Sequence, residues 1–199
     1  MNYENEITVE VDTGLEELIS ILENNGFKLK ETYDLNDIYL INKTNKKDNY
    51  LSMLNKCVLI RHIIEEDKET KMLTYKYKEY NEKKEITKQG KVKVKIDDID
   101  NSKLLFEKLN FEELIKINDH VLVYATDKDE LVIQNVNGKH IYIEIEDECH
   151  YVDRFYNSIE EMKAVITDNS IPIKGNDFFV KKAEIELQET YGKVGENSE

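Results

Sequence analysis

Three short runs in this chain alternate apolar and charged residues almost without error: "EITVEVD" (6–12), "KVKVKI" (91–96) and "IYIEIE" (141–146). Successive side chains of a strand point to opposite faces, so a period of two commits each run to a β-strand with one apolar and one charged face. In the first run Ile7, Val9 and Val11 oppose Glu6, Thr8, Glu10 and Asp12. In the second, Val92, Val94 and Ile96 oppose Lys91, Lys93 and Lys95; in the third, Ile141, Ile143 and Ile145 oppose Tyr142, Glu144 and Glu146. The apolar faces need a cover. The charged faces must look either at water or at one another.

Helices supply the cover. "GLEELISILENNG" sets Leu15, Leu18, Ile19 and Leu22 on one stripe and stops at Gly26. "NSKLLFEKLN" predicts a second helix, and Ser158 with Glu161 forms a capping box that opens a third in "IEEMKAVIT". A last helix is expected from about 177 to 191. Between them, "FKLKETYDLNDIYLINK" reads as a strand, a turn and another strand, and "KCVLIRHII" and "KMLTYKYKEY" as two strands joined by "EEDKET". "FEELIKINDHVLVYAT" and "DELVIQNVNG" continue the pattern, with Asn137-Gly138 as a hairpin turn. The second half repeats the plan of the first. No stretch rich in Gly, Ser or Pro divides the chain, so residues 1–191 read as one α+β domain and 192–199 as a flexible tail.

Charge narrows the partners. Asp plus Glu (42) outnumber Lys plus Arg (28), and a net charge of -14 disfavours nucleic acid and anionic membranes. With no signal peptide and no run of 18 apolar residues, the expectation is a soluble, cytoplasmic protein. Cys57 and Cys149 suit a reducing compartment without a disulfide, and the four histidines are too scattered for a zinc site. Arg61 and Arg154 are the only arginines, and an arginine inside the apolar run "LIRHI" suggests a need for a fixed planar donor.

In an open sheet the charged faces would meet water and form cross-strand salt bridges. In a closed or nearly closed antiparallel β-barrel with helices packed outside, they would line a lumen. That lumen would gather Glu6, Glu10, Glu144 and Glu146 with Arg61, Lys76, Lys78, Lys91, Lys93 and Lys95. Such a set suits a polyanion whose phosphates meet cations while carboxylates hold a bridging divalent metal. Composition alone fits both arrangements.

"NDIYL", "LIRHI", "LTYKYK" and "NGKHIYIEIE" occur in an order that resembles the CYTH family, the triphosphate tunnel metalloenzymes. That family includes class IV adenylate cyclases and thiamine or inorganic triphosphatases, and the resemblance runs from about residue 5 to 190. It implies a tunnel that binds a triphosphate or polyphosphate, Mg²⁺ or Mn²⁺ at Glu6, Glu10, Glu144 and Glu146, and phosphate contacts from Arg61, Lys76, Lys78, Lys91, Lys93 and Lys95. Several positions depart from the family pattern. Thr8 stands where a second Glu belongs, Glu10 replaces a Lys, and Arg61 is one arginine where the family has two. Lysines 91, 93 and 95 occupy a strand that is usually rich in Glu, Asn118 and His120 lie where basic residues are expected, and Gln134 where an acid is common. The resemblance is therefore to a diverged member. Metal-dependent triphosphate hydrolysis is its implied activity, ahead of adenylate cyclase activity, and the alternative is a non-catalytic anion-binding module or scaffold. No residue is singled out as catalytic. A homo-oligomer through a sheet or helix face is compatible with the sequence.

Overall fold

The computed structural model describes residues 6–46, 49–80 and 86–192, and the side chains of 76–80 and 86–89 lie outside that description, as does the expected tail from 193 onward. In chain order the elements are β1 (Glu6–Glu10), α1 (Leu15–Asn24), β2 (Lys28–Asn42), α2 (Tyr50–Leu54), β3 (Val58–Ile64), β4 (Glu69–Tyr80) and β5 (Ile86–Lys95). Then follow α3 (Ile99–Lys108), β6 (Phe111–Ala125), β7 (Glu130–Val136), β8 (His140–Glu146), α4 (Ile159–Asp168) and α5 (Lys182–Tyr191). The strands form an eight-stranded antiparallel sheet in the order β1-β8-β7-β6-β2-β3-β4-β5. The α+β class, with antiparallel strands and helices, is as expected; among the described residues β1 and β5, at the two ends of the order, do not pair with each other, so the expected closure into a barrel is not seen. No helix among the described residues is long and apolar enough to cross a membrane.

Contacts cluster in two compact units, residues 1–34 with 119–181, and residues 35–118 with 182–199. In the first unit the strand registers align Val9, Ile143, Ile133 and Leu122 in one apolar row across β1, β8, β7 and β6. Leu18 and Leu22 of α1 and Met162, Val165 and Ile166 of α4 pack in the same core. Fully burying each such side chain stabilises by roughly 1.5–3 kcal/mol. The β7–β8 connection, residues 137–139, has Asn137 and Gly138 at positive φ (50 and 68), the backbone region this turn pair favours. The capping box also forms. Ser158 Oγ accepts from the Glu161 N–H at 3.3 Å, and the Glu161 carboxylate accepts from the Asn157 N–H at 3.0 Å, one residue earlier than the usual return bond.

The outer edge of β1 is filled by the chain itself. Thr8 N–H donates to the Phe178 carbonyl (3.0 Å), Val180 N–H to the Thr8 carbonyl (3.0 Å), Lys174 N–H to the Glu10 carbonyl (2.8 Å) and Asp12 N–H to the Pro172 carbonyl (2.9 Å). An open edge offers unpaired backbone groups to other chains, and residues 172–180 occupy this one. The last helix therefore starts at Lys182 and not near 177, because residues 178–180 are used as extended backbone.

In the second unit, Leu40, Ile41, Leu59, Ile60, Leu114 and Ile117 are buried, along with Leu187 of α5. Asp98 caps α3 by accepting from the Asn101 N–H at 2.8 Å, and Tyr191 Oη donates to the Leu114 carbonyl at 2.7 Å. The turn expected within "FKLKETYDLNDIYLINK" is absent, since β2 runs unbroken from Lys28 to Asn42. Asp34 and Asp37 look like turn formers locally but have partners on other strands. Asp34 Oδ1 lies 2.8 Å from His120 Nδ1, and Asp37 accepts from Arg61.

Candidate functional site

In the first unit, the β1–β8 register sets Glu6 directly opposite Glu146 and Thr8 opposite Glu144. One carboxylate oxygen from each of Glu6, Glu144 and Glu146 lies within 4.8 Å of the other two. Glu6 and Glu146 are exposed and Glu144 is half-buried, with Gln134 Nε2 donating to Glu144 Oε2 at 3.3 Å. Like charges directly opposed across a ladder destabilise it. Three carboxylates converging this closely offer oxygen ligands only, a donor set that fits a hard divalent cation such as Mg²⁺ or Mn²⁺. Thr8, where the resemblance would place a carboxylate, is buried and stands opposite Glu144 in the register.

Glu10, the fourth expected metal ligand, is held elsewhere. Its Oε1 accepts from Lys174 Nζ at 2.7 Å and lies 3.0 Å from His140 Nδ1. Burial raises its carboxyl pKa, but the hydrogen bonds and charges of Lys174 and His140 outweigh that and hold it below the ordinary 4.5. The four predicted ligands thus divide into a group of three and one ion-paired residue. Neither Lys174 nor His140 stood out in the sequence. Lys174 reaches Glu10 from the segment that fills the β1 edge, 164 residues away in the chain, and no local pattern signals this.

In the second unit, the registers bring the predicted cations into neighbouring rows. Arg61 stands opposite Met72, which stands opposite Lys95; Leu59 stands opposite Thr74, which stands opposite Lys93. Lys76 is directly opposite Lys91, and Lys78 is opposite Gln89. These positions alternate by two along each strand, so they share one face of β3, β4 and β5. Lys91, Lys93 and Lys95 are exposed. Thr74 is only 2% exposed, and its hydroxyl has no hydrogen-bond partner among the described residues. A buried hydroxyl without a partner is uncommon and costs stability.

Arg61 answers its sequence prediction differently. Its Nε and Nη2 donate to Asp37 Oδ1 and Oδ2 at 2.9 and 2.7 Å, a bidentate pair between the neighbouring strands β2 and β3. The planar guanidinium matches a carboxylate fork in this geometry. Asp37 lies inside "NDIYL", but its spacing alone did not mark it as the partner of Arg61.

Both cysteines are free thiols, and burial pushes the Cys57 pKa up to about 12. Each histidine sits beside a carboxylate: His62 with Glu69, His120 with Asp34, His140 with Glu10 and His150 with Glu130.

Neither a protein-family model nor a curated protein sequence matches the chain. Solved structures do. A protein from Pyrococcus horikoshii matches with a TM-score of 0.63 at 18% identity, over 94% of this chain and 99% of that one. A candidate adenylyl cyclase from Hippeastrum, described as having a dominant triphosphatase activity, matches at 0.56 and 14% identity over 96% and 97%. A chain of the Schizosaccharomyces pombe Mediator head module matches at 0.53 and 11% identity over 86% and 97%. At these identities the likeness is one of fold. With its element order, sheet topology and structural neighbours taken together, the chain has a diverged CYTH-like fold.

Proposed function

We propose that this protein binds a triphosphate or another polyanion in a charged β-tunnel, and that it hydrolyses triphosphate with the help of Mg²⁺ or Mn²⁺. The partner is a small molecule and not a nucleic acid or a membrane. The lysine rows headed by Lys76 and Lys91 hold phosphate oxygens, and Glu6, Glu144 and Glu146 hold the metal. When bound, that metal would offset charge on the phosphoryl group. The observation that carries the reading is Thr74. Its buried hydroxyl lacks a partner in the row opposite Lys93, one alternation from Lys76, where a phosphate oxygen would supply both a hydrogen-bond partner and counter-charge. The fold shared with the Hippeastrum protein supports the activity part.

A second reading, a non-catalytic anion-binding module or scaffold, is favoured by Thr8 in place of a carboxylate, by Glu10 held in an ion pair and by Arg61 engaged with Asp37. The same fold in a chain of the Mediator head module also supports it. One set of measurements separates them: thermal melting with tripolyphosphate, and phosphate release from tripolyphosphate, thiamine triphosphate and ATP with and without Mg²⁺ or Mn²⁺. The first reading expects a melting shift that Lys76→Ala removes, and metal-dependent release that Glu144→Gln lowers at least about ten-fold. A shift without release leaves the anion-binding module, and no shift with any polyanion leaves only the scaffold.

A further inference from the structure

The strand order ends at β5, and among the described residues no strand pairs with its outer side. Which backbone groups face outward follows from one bond. Ile96 N–H donates to the Lys71 carbonyl at 3.0 Å, so Ile96 turns its backbone toward β4. Backbone groups alternate sides along an antiparallel strand, so Val94 and Val92 also turn inward to β4 while Lys95 and Lys93 turn their N–H and C=O away from it. The side chains are sorted as well. Lys93 and Lys95 lie exposed on one face, while Val92 and Val94 lie on the other, 52% and 53% exposed. Tyr75, directly opposite Val92, is exposed there too. On its β4 side Lys93 faces Thr74 and Lys95 faces Met72, so the ladder itself gives neither lysine an opposite carboxylate.

We propose that this edge accepts an extended acidic peptide as an added strand. Its carboxylates alternate beside Lys93 and Lys95, and its apolar residues fall between them, beside Val92 and Val94. Main-chain bonds would give such a strand its affinity, and the alternating side chains its specificity. Charge selects this occupant over a second copy of the same edge. Antiparallel pairing of two β5 strands about an axis normal to the sheet would set lysines beside lysines, which is repulsive. This inference shares the lysine face with the triphosphate reading and differs from it at the backbone edge, with which tripolyphosphate cannot pair.

The test is fluorescence anisotropy of a labelled peptide of alternating Glu and Val, titrated with the full chain. Two control peptides are used: one of the same composition with its Glu and Val in separate blocks, and one N-methylated at alternate residues. The alternating peptide should bind at least about ten-fold more tightly than either control. The double variant Lys93→Glu with Lys95→Glu should weaken it by a similar factor. Lys93→Pro, which removes an outward N–H, should weaken binding more than Lys93→Ala, which removes only the charge. Far-UV circular dichroism checks that each variant folds; should Lys93→Pro not fold, the N-methylated peptide makes the same distinction. Equal binding of the block peptide would make the surface a plain cationic patch and overturn the proposal. So would absence of binding, or equal effects of Lys93→Pro and Lys93→Ala. A dimer by sedimentation that the double variant dissolves would assign the edge to a second copy and also overturn it. Peptide binding without any melting shift from tripolyphosphate would sustain this inference while removing the triphosphate one.

Discussion

The two ends of the sheet order begin from the same sequence pattern and reach opposite states of burial. β1 reads "EITVE" and the last five residues of β5 read "KVKVK", each with apolar residues at every second position. Ile7 and Val9 are 0% exposed, whereas Val92 and Val94 are 52% and 53% exposed. At β1 the apolar face packs in a core with α1 and α4, and the backbone edge is filled by residues 172–180. At β5 no strand fills the outer edge among the described residues. Alternation therefore decides which residues share a face, but not what lies against it. Cover comes from elements distant in sequence, and their arrival has no local signature.

The largest expected effect lies at the covered end. Ile143 is fully buried at the centre of β8, opposite Val9 on one side and Ile133 on the other. Ile143→Ala should destabilise the fold by about 2–5 kcal/mol through lost transfer energy plus a residual cavity. Urea unfolding measures it. A cost below about 0.5 kcal/mol, the range of ordinary surface changes, would break the comparison at its root.

The cations of the second unit offer the next contrast. Arg61 is 27% exposed by side chain and holds Asp37, whose side chain is 5% exposed. Removing Arg61 would leave that carboxylate buried without its fork of donors. Breaking a fully buried pair costs about 3–5 kcal/mol, and partial exposure of Arg61 should bring Arg61→Ala to about 2 kcal/mol. Lys93→Ala, at the exposed edge, should stay within about 0.5 kcal/mol. A double-mutant cycle between Arg61 and Asp37 sharpens this, and a coupling near zero would show that the guanidinium is not committed to Asp37.

Glu10 gives a smaller effect with a pH signature. Its carboxyl is held below the ordinary 4.5 in the folded chain, since the bonds and charges of Lys174 and His140 overcome the opposing effect of burial. A depressed carboxylate pKa adds stability that is fully present above the unfolded value and is lost as pH falls through the folded one. Glu10→Gln should cost about 1 kcal/mol at pH 7, because Lys174 is half exposed and can return to water. The gap between the variant and the parent should narrow progressively below about pH 4.5. Urea midpoints at a series of pH values test this, and a gap that stays constant to pH 3 would remove Glu10 as the titrating group.

What could be read from the sequence follows the same division between local and distant. Asn137-Gly138, the Ser158 and Glu161 cap and the alternating runs are local signals, and each appears where expected. Glu6, Glu144 and Glu146 come together through the β1–β8 register, which neither alternating run announces by itself. Glu10 was grouped with them because its own strand says nothing of Lys174. The turn expected in β2 failed for a related reason. Asp34 and Asp37 favour turns by local chemistry, but His120 and Arg61 give them partners in extended backbone. The partnerless hydroxyl of Thr74 was likewise invisible, since burial of one β4 residue depends on packing that alternation does not encode.

The smallest expected effect is the one that bears most directly on β5. Val94→Ala removes two methyl groups that are already more than half in water, at a position opposite Leu73. With little apolar area to lose, its unfolding free energy should change by less than about 0.5 kcal/mol. A peptide strand on the edge of β5 would bury those same methyl groups. Val94→Ala should therefore leave the urea midpoint almost unchanged while measurably weakening the alternating Glu-Val peptide. A large stability loss would mean that this valine packs against the chain itself, and β5 would then have a cover like that of β1. An unchanged midpoint with unchanged peptide binding would confine recognition to the lysine face, because the apolar side of the strand would then take no part in it.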